Sequence, residues 1–153
     1  VSGTLALSAV PRVLKAVRAI LLNDVPLTDR LTTAPGGGPA IYTEGYVPPG
    51  ARTDYLTIGA FTEVPDNTMG SGLHWGSNLT FQIKLVTQNL DVGYSLDTVD
   101  RLMALLNGPL TVDDYAAGSI GLDSAVPAMQ ELLAGQSYMH YPTIFRVWVT
   151  QAS

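Results

Sequence analysis

The sequence contains no cysteine, which excludes a disulfide framework and thiolate chemistry and suits a cytoplasmic setting. Charge is scarce as well. Asp, Glu, Lys and Arg make up 14% of the 153 residues, against about 25% in an average soluble domain. Basic residues are the scarcest: Lys and Arg number 8 against 13 Asp and Glu, for a net charge of −5. They are also scattered. Phosphate recognition needs clustered Lys and Arg that displace counterions, so affinity for nucleic acid is not expected. No apolar run approaches the roughly 18 residues of a membrane span, and no membrane contact is expected. The apolar run Leu5–Val10 precedes Arg12, Lys15 and Arg18, the reverse of the order in a secretory signal.

What is present is apolar mass. Hydrophobic residues reach 46%, enough for one domain over residues 1–153 to build a core without staples. Low charge beside that content leaves apolar surface over, and such surface is often covered by partners. Oligomerisation is the first functional expectation.

Periodicity gives the elements. Val10, Val13, Leu14, Val17, Ile20 and Leu21 recur at helical spacing, with Ser8 as N-cap and Pro11 in the first turn. Arg12, Lys15 and Arg18 fall off that stripe and should be solvated. Ala34–Pro39 holds three consecutive glycines, but no Lys-Ser/Thr follows, so it reads as a loop and not a phosphate cradle. Strands are expected at Ile41–Val47, closed by the turn Pro48-Pro49-Gly50, and, with period-two alternation, at Tyr55–Val64, Leu79–Gln88 and Thr143–Thr150. In the second, Leu56, Ile58, Ala60 and Val64 share one face, leaving Tyr55, Thr57, Gly59 and Phe61 on the other. In the last, Phe145, Val147 and Val149 oppose Ile144, Arg146 and Trp148. A second helix carries the stripe Val99, Leu102, Met103, Leu105 and Leu106, with Ser95 as cap, Asp97 in the first turn and Asn107-Gly108-Pro109 as its stop. Leu110–Val112 has the pattern of a short strand. Ser124–Ala134 stays open: its propensities favour helix, Pro127 interrupts it, and Gly135-Gln136 suits a hairpin turn. Together these imply an α+β fold, mainly an antiparallel sheet with two amphipathic helices on one face.

Chemistry is hard to place in this chain. His74 and His140 are the only histidines, and neither sits at metal-ligand spacing from a carboxylate or the other. Asp91, Asp97 and Asp100 lack the spacing of a calcium loop. Asp113 and Asp114 are adjacent, so on a strand they face opposite sides and form no catalytic dyad. No nucleophile elbow occurs. No enzyme activity, metal or cofactor is therefore expected. Met69, His74 and Trp75, in the long loop Pro65–Ser77, form either an anchor that folds the loop back or a partner-binding tip. Arg146 beside Trp148 is the composition that interfaces enrich.

The run Val47-Pro-Pro-Gly-Ala-Arg-Thr-Asp-Tyr-Leu-Thr-Ile-Gly-Ala-Phe-Thr62 resembles the tail terminator, or tail completion, proteins of long-tailed bacteriophages. A helix precedes it; the strand of Phe81, Ile83 and Leu85, an amphipathic helix and the strand Phe145–Val149 follow in the family's order. Order and spacing carry the match across nearly the whole chain. There are two departures: Asp54 stands where the family often has proline, and the loop Pro65–Ser77 is long. The resemblance implies an α+β fold in a virion protein, made in the host cytoplasm and placed at the tail neck. It implies a homo-oligomeric, hexameric ring that caps the tail tube, stops its growth, meets the tail tube protein, and joins it to the head–tail connector or adaptor. DNA would pass the lumen without specific binding. It also implies an extended conformation for Gln130–Tyr138. Tyr55, Phe61, Met69, His74, Trp75, Ile144, Arg146 and Trp148 are the expected interface residues. The rival readings are another neck protein (head-closure or adaptor) and a small-ligand binding domain with the Met69–Trp75 loop as lid.

Overall fold

The computed structural model describes residues 8–66 and 76–151. Among these described residues, three helices and a seven-stranded mixed sheet form an α+β fold. Helix α1 (Val10–Leu22) buries Val13, Val17 and Leu21, which stand four residues apart on one face. A four-residue helix α2 (Val25–Thr28) follows, with Asp24 accepting from Leu27 N at 3.0 Å. Strands β1 (Ile41–Thr43), β2 (Tyr55–Asp66) and β3 (Gly76–Thr87) precede helix α3 (Val92–Leu105). Strands β4 (Gly108–Pro109), β5 (Ala117–Ala125), β6 (Met129–Leu133) and β7 (Gln136–Thr150) complete the sheet.

The strand order is β1-β2-β3-β7-β5-β4, and β6 pairs with the first part of β7. Every pairing is antiparallel except β1 with β2. That exception comes from the connection. Gly45 turns the chain at positive φ, and residues 44–54 carry it back to the start of the sheet, so β2 enters in the same direction as β1. The same turn ends β1 at Thr43, short of the expected Val47.

Leu56 and Ile58 of β2, Leu79, Phe81, Ile83 and Leu85 of β3, and Tyr141, Phe145, Val147 and Val149 of β7 point to one face. Val13, Val17, Leu21, Val99 and Leu102 of the helices join them in one core. The helix layer covers one side of the sheet. On the other, residues 44–51 lie over the Tyr55–Gly59 end, where Thr57 and Val86 are buried, and Arg146 and Trp148 are exposed.

A bulge corrects the alternation expected in β2. Between Gly59 and Thr62 the register with β3 shifts, and Ala60 takes φ 53°. The extra residue inverts the facing of everything after it. Phe61 turns into the core and stacks on Phe81 at 5.1 Å, while Val64 turns out and is 59% exposed. Phe61 is thus not on the spare face.

The helix caps differ as well. Helix α1 begins after Ala9, whose N–H donates to Glu63 Oε2 at 3.0 Å, so a strand carboxylate serves the orphan N–H. Ser8 Oγ accepts from Val10 N and donates to Glu63 Oε1 at 2.6 Å. Helix α3 starts a turn earlier than expected, with Asp91 accepting from Tyr94 N at 3.1 Å. Ser95 is then buried inside the helix and Asp97 lies mid-helix in solvent. Nor are the basic residues of α1 simply solvated. Arg12 pairs with Asp114, Lys15 with Asp113, and Arg18 donates to the Ile41 carbonyl at 2.8 Å. Helix α3 ends at Leu105, just ahead of the expected stop Asn107-Gly108-Pro109; Gly108–Pro109 also pairs with β5, and Leu110 and Val112 plug the core.

Candidate assembly surface

The face opposite the helices is built by the alternate residues of the central strands. Its β7 row is His140, Pro142, Ile144, Arg146 and Trp148. Pairing sets Ile144 beside Gln82, Arg146 beside Thr80, and Trp148 between Asn78 and Ser119. Trp148 is 40% exposed, and Arg146 Nη2 lies 2.9 Å from Asp123 Oδ1. Asp123 reaches it because a second register shift, between Leu122 and Ser124, leaves Asp123 as the extra residue of β5. On β2, Tyr55 stands at the near end of the same face, its ring edge-on to Tyr42 at 5.5 Å. Gly59 is the one position there that admits no side chain: a Cβ would sit 2.3 Å from Glu44 Cβ, which crosses over it.

Of the residues singled out from sequence, Tyr55, Ile144, Arg146 and Trp148 therefore share the face opposite the helices, with Arg146 and Trp148 exposed, Ile144 half-buried and Tyr55 half-buried against residues 47–51. Phe61 belongs to the core face. Met69, His74 and Trp75 lie outside the described residues.

Sequence reasoning left an exposed feature open between helix and hairpin. Beyond Met139, β7 no longer pairs with β3, so β6 and β7 run on as a two-stranded ribbon. Its loop is Ala134-Gly135, both at positive φ, the type I′ geometry that matches strand twist. All of β6 is exposed, including Met129, Leu132 and Leu133. The signal was the hairpin turn at Gly135, and the helix-favouring composition before it kept the segment ambiguous. The expected extended conformation of Gln130–Tyr138 is present on either side of that turn.

Where the ribbon leaves the sheet, its outer face and residues 47–51 enclose a pocket of about 210 Å³. Val47, Pro48, Ala51, Val86 and Leu133 form its apolar walls, with Tyr55, Tyr138, Glu131 and His140 among them. His140 Nε2 lies 2.9 Å from Glu131 Oε2 but off the line of a hydrogen bond. Burial, together with the charge of Lys84, holds the His140 imidazole below its ordinary pKa against the opposing pull of Glu131. It is therefore mainly neutral at pH 7. A single imidazole–carboxylate pair without a nucleophile beside it offers contact chemistry. No group of three or more His, Cys, Asp or Glu among the described residues is placed to hold a metal ion, and no described helix is long and apolar enough to cross a membrane.

No protein-family model and no curated protein matches the sequence. Among solved structures, a chain of the virion of a native gene transfer agent particle has the same fold, with a TM-score of 0.67 and 20% identity. The alignment covers 95% of this chain and 99% of that one. The shared fold therefore extends over the whole architecture described above, sheet and helices together.

Proposed function

We propose that the chain is a structural protein of a phage-type virion, and within it the tail terminator. The observation that carries the virion reading is the end-to-end likeness to a gene transfer agent virion chain, with neither chain leaving a sizeable part unmatched. The terminator reading rests on the order of elements around Val47–Thr62 described from sequence. In that role the protein forms a ring, with six copies as the resemblance implies. The ring caps the head-proximal end of the tail tube and presents a surface to the head–tail connector.

Three features support assembly over catalysis. The sheet face opposite the helices has an open part that carries the exposed Trp148 beside the half-buried Ile144. Large apolar side chains such as Tyr46, Leu90, Leu132 and Val64 stand exposed. The described Lys and Arg side chains, Arg52 and Lys84 excepted, are already engaged within the chain. Few free cations and a net charge of −5 let duplex DNA pass a lumen without being held.

The test is gold-labelled antibody against the chain on intact particles. Label confined to the head–tail junction is the expected result. Label along the tail, on the capsid or absent from exposed junctions would remove the terminator reading. Label at the junction but on the capsid side of the connector would favour an adaptor.

A further inference from the structure

We infer that the β6–β7 ribbon couples copies of this chain head to tail, with Leu132 of one copy seated in the 47–51 pocket of the next. The inference rests on the ring reading and names the contact that builds the ring.

Facing is the first argument. Cross-strand pairing puts Leu132 with Ser137 and Gln130 with Met139 on the helix side of the ribbon. Met129, Glu131, Leu133, Tyr138 and His140 lie on the outer side, where the pocket opens. Leu132 is 70% exposed, in a ribbon whose other face also carries exposed Met129 and Leu133. A two-stranded ribbon is marginal alone in water, and one with large apolar side chains on both faces needs cover on both.

The second argument is size. At about 210 Å³ the pocket falls below the roughly 300–1,000 Å³ of small-molecule sites, so a protruding side chain is the fitting occupant. Leu132 is flanked on its own face by Gln130 and Ser137, which hydrogen-bond to each other at 2.6 Å. The knob therefore brings no charge of its own, and its contact is with the apolar walls Val47, Pro48, Ala51 and Leu133.

Geometry then chooses the partner. Knob and pocket lie on opposite faces of one ribbon, so two copies cannot satisfy both contacts mutually. Each contact leaves one knob and one pocket free for another copy, which is a heterologous interface that closes into a ring or propagates.

The chain has no cysteine, so Leu132→Cys with Ala51→Cys introduces the only thiols. Mild oxidation is expected to give a ladder of disulfide-linked copies ending at a closed oligomer. Leu132→Cys with Thr111→Cys, beside β4, is expected to give none. A Leu132/Ala51 variant that gives no more cross-linking than the Leu132/Thr111 control overturns the inference. Leu132→Glu reads the same contact without thiols: native mass spectrometry is expected to show loss of the oligomer with an unchanged circular dichroism spectrum. Rings that persist in Leu132→Glu overturn the inference and leave the ring reading standing. A wild-type chain that forms no oligomer, free or on tail tubes, overturns both.

Discussion

Glu63 joins three segments through one carboxylate. Its oxygens accept from Ser8 Oγ, Ala9 N and Ser77 Oγ, tying the start of α1 to β2 and β3. Burial raises its pKa, but the three donors outweigh it and hold the group below the ordinary value. A carboxylate depressed in the folded state contributes fully above its unfolded pKa of about 4.3 and loses that contribution as pH falls through the folded value. Glu63→Gln, which leaves a donor without its acceptor, is expected to cost about 1–3 kcal/mol by urea unfolding at pH 7. It should also flatten the decline in stability below pH 4–5. His140 has the opposite chemistry and the same direction. Its folded pKa is depressed, so stability is level above the unfolded value of about 6.5 and falls as pH drops through it. His140→Gln should remove the slope between about pH 7 and pH 5 in the same titration. At Gly59, substitution by Ala sets a Cβ against Glu44 Cβ and should cost about 1–3 kcal/mol of overpacking. Glu44→Gly in the same chain is the change that relieves it, and a double variant as weak as Gly59→Ala alone would disprove that contact.

At the scale of elements, two positive-φ alanines carry geometry that alanine does not prefer. Ala60 at φ 53° makes the β2 bulge, and Ala134 at φ 50° makes the ribbon turn. Ala60→Gly should stabilise by up to about 1 kcal/mol, since the left-handed region costs an L-residue about that much and glycine little. Ala134→Asn creates the Asn-Gly pair that type I′ turns favour and should slow amide exchange across β6 without changing the core. Long periodic segments were legible in the sequence: α1, β2, β3, α3 and the second half of β7 are present at their patterns, with α3 starting a turn early and the facing of β2 inverted past its bulge. β5 was not legible. Ala117–Ala125 holds Gly118 and Gly121 and only two large apolar residues, a composition that reads as loop. It becomes a strand because Thr143–Thr150 offers an open edge, and Gly118 is needed since a Cβ there would meet the Leu110 carbonyl at 2.6 Å. Likewise nothing local marks Glu63 as the cap of α1, because the contact spans 54 residues.

For the whole molecule, one face of the sheet is a core wall and the other, beyond the end covered by residues 44–51, is a surface around Arg146 and Trp148. Trp148→Ala removes the largest outward side chain of β7. It is expected to weaken assembly, read by native mass spectrometry, while changing folding stability by about 1 kcal/mol or less, as surface substitutions do. A large drop in unfolding midpoint would make Trp148 a core residue and remove it from the interface. Side-chain alternation along β7 alone set Ile144, Arg146 and Trp148 apart from Phe145, Val147 and Val149, because a strand's period of two needs no partner to be read. Composition alone likewise implied surplus apolar surface and poor phosphate affinity. Three things only tertiary structure decided. The bulge at Ala60 moved Phe61 from the spare face into the core, since one inserted residue inverts all that follow. The strand order brought β5 beside β7 across a connection that carries no local signal. The ribbon emerged as a two-faced projection because β3 ends where β7 is only beginning. Local pattern determines which side of an element is apolar; only the packing of distant elements determines which apolar sides remain uncovered.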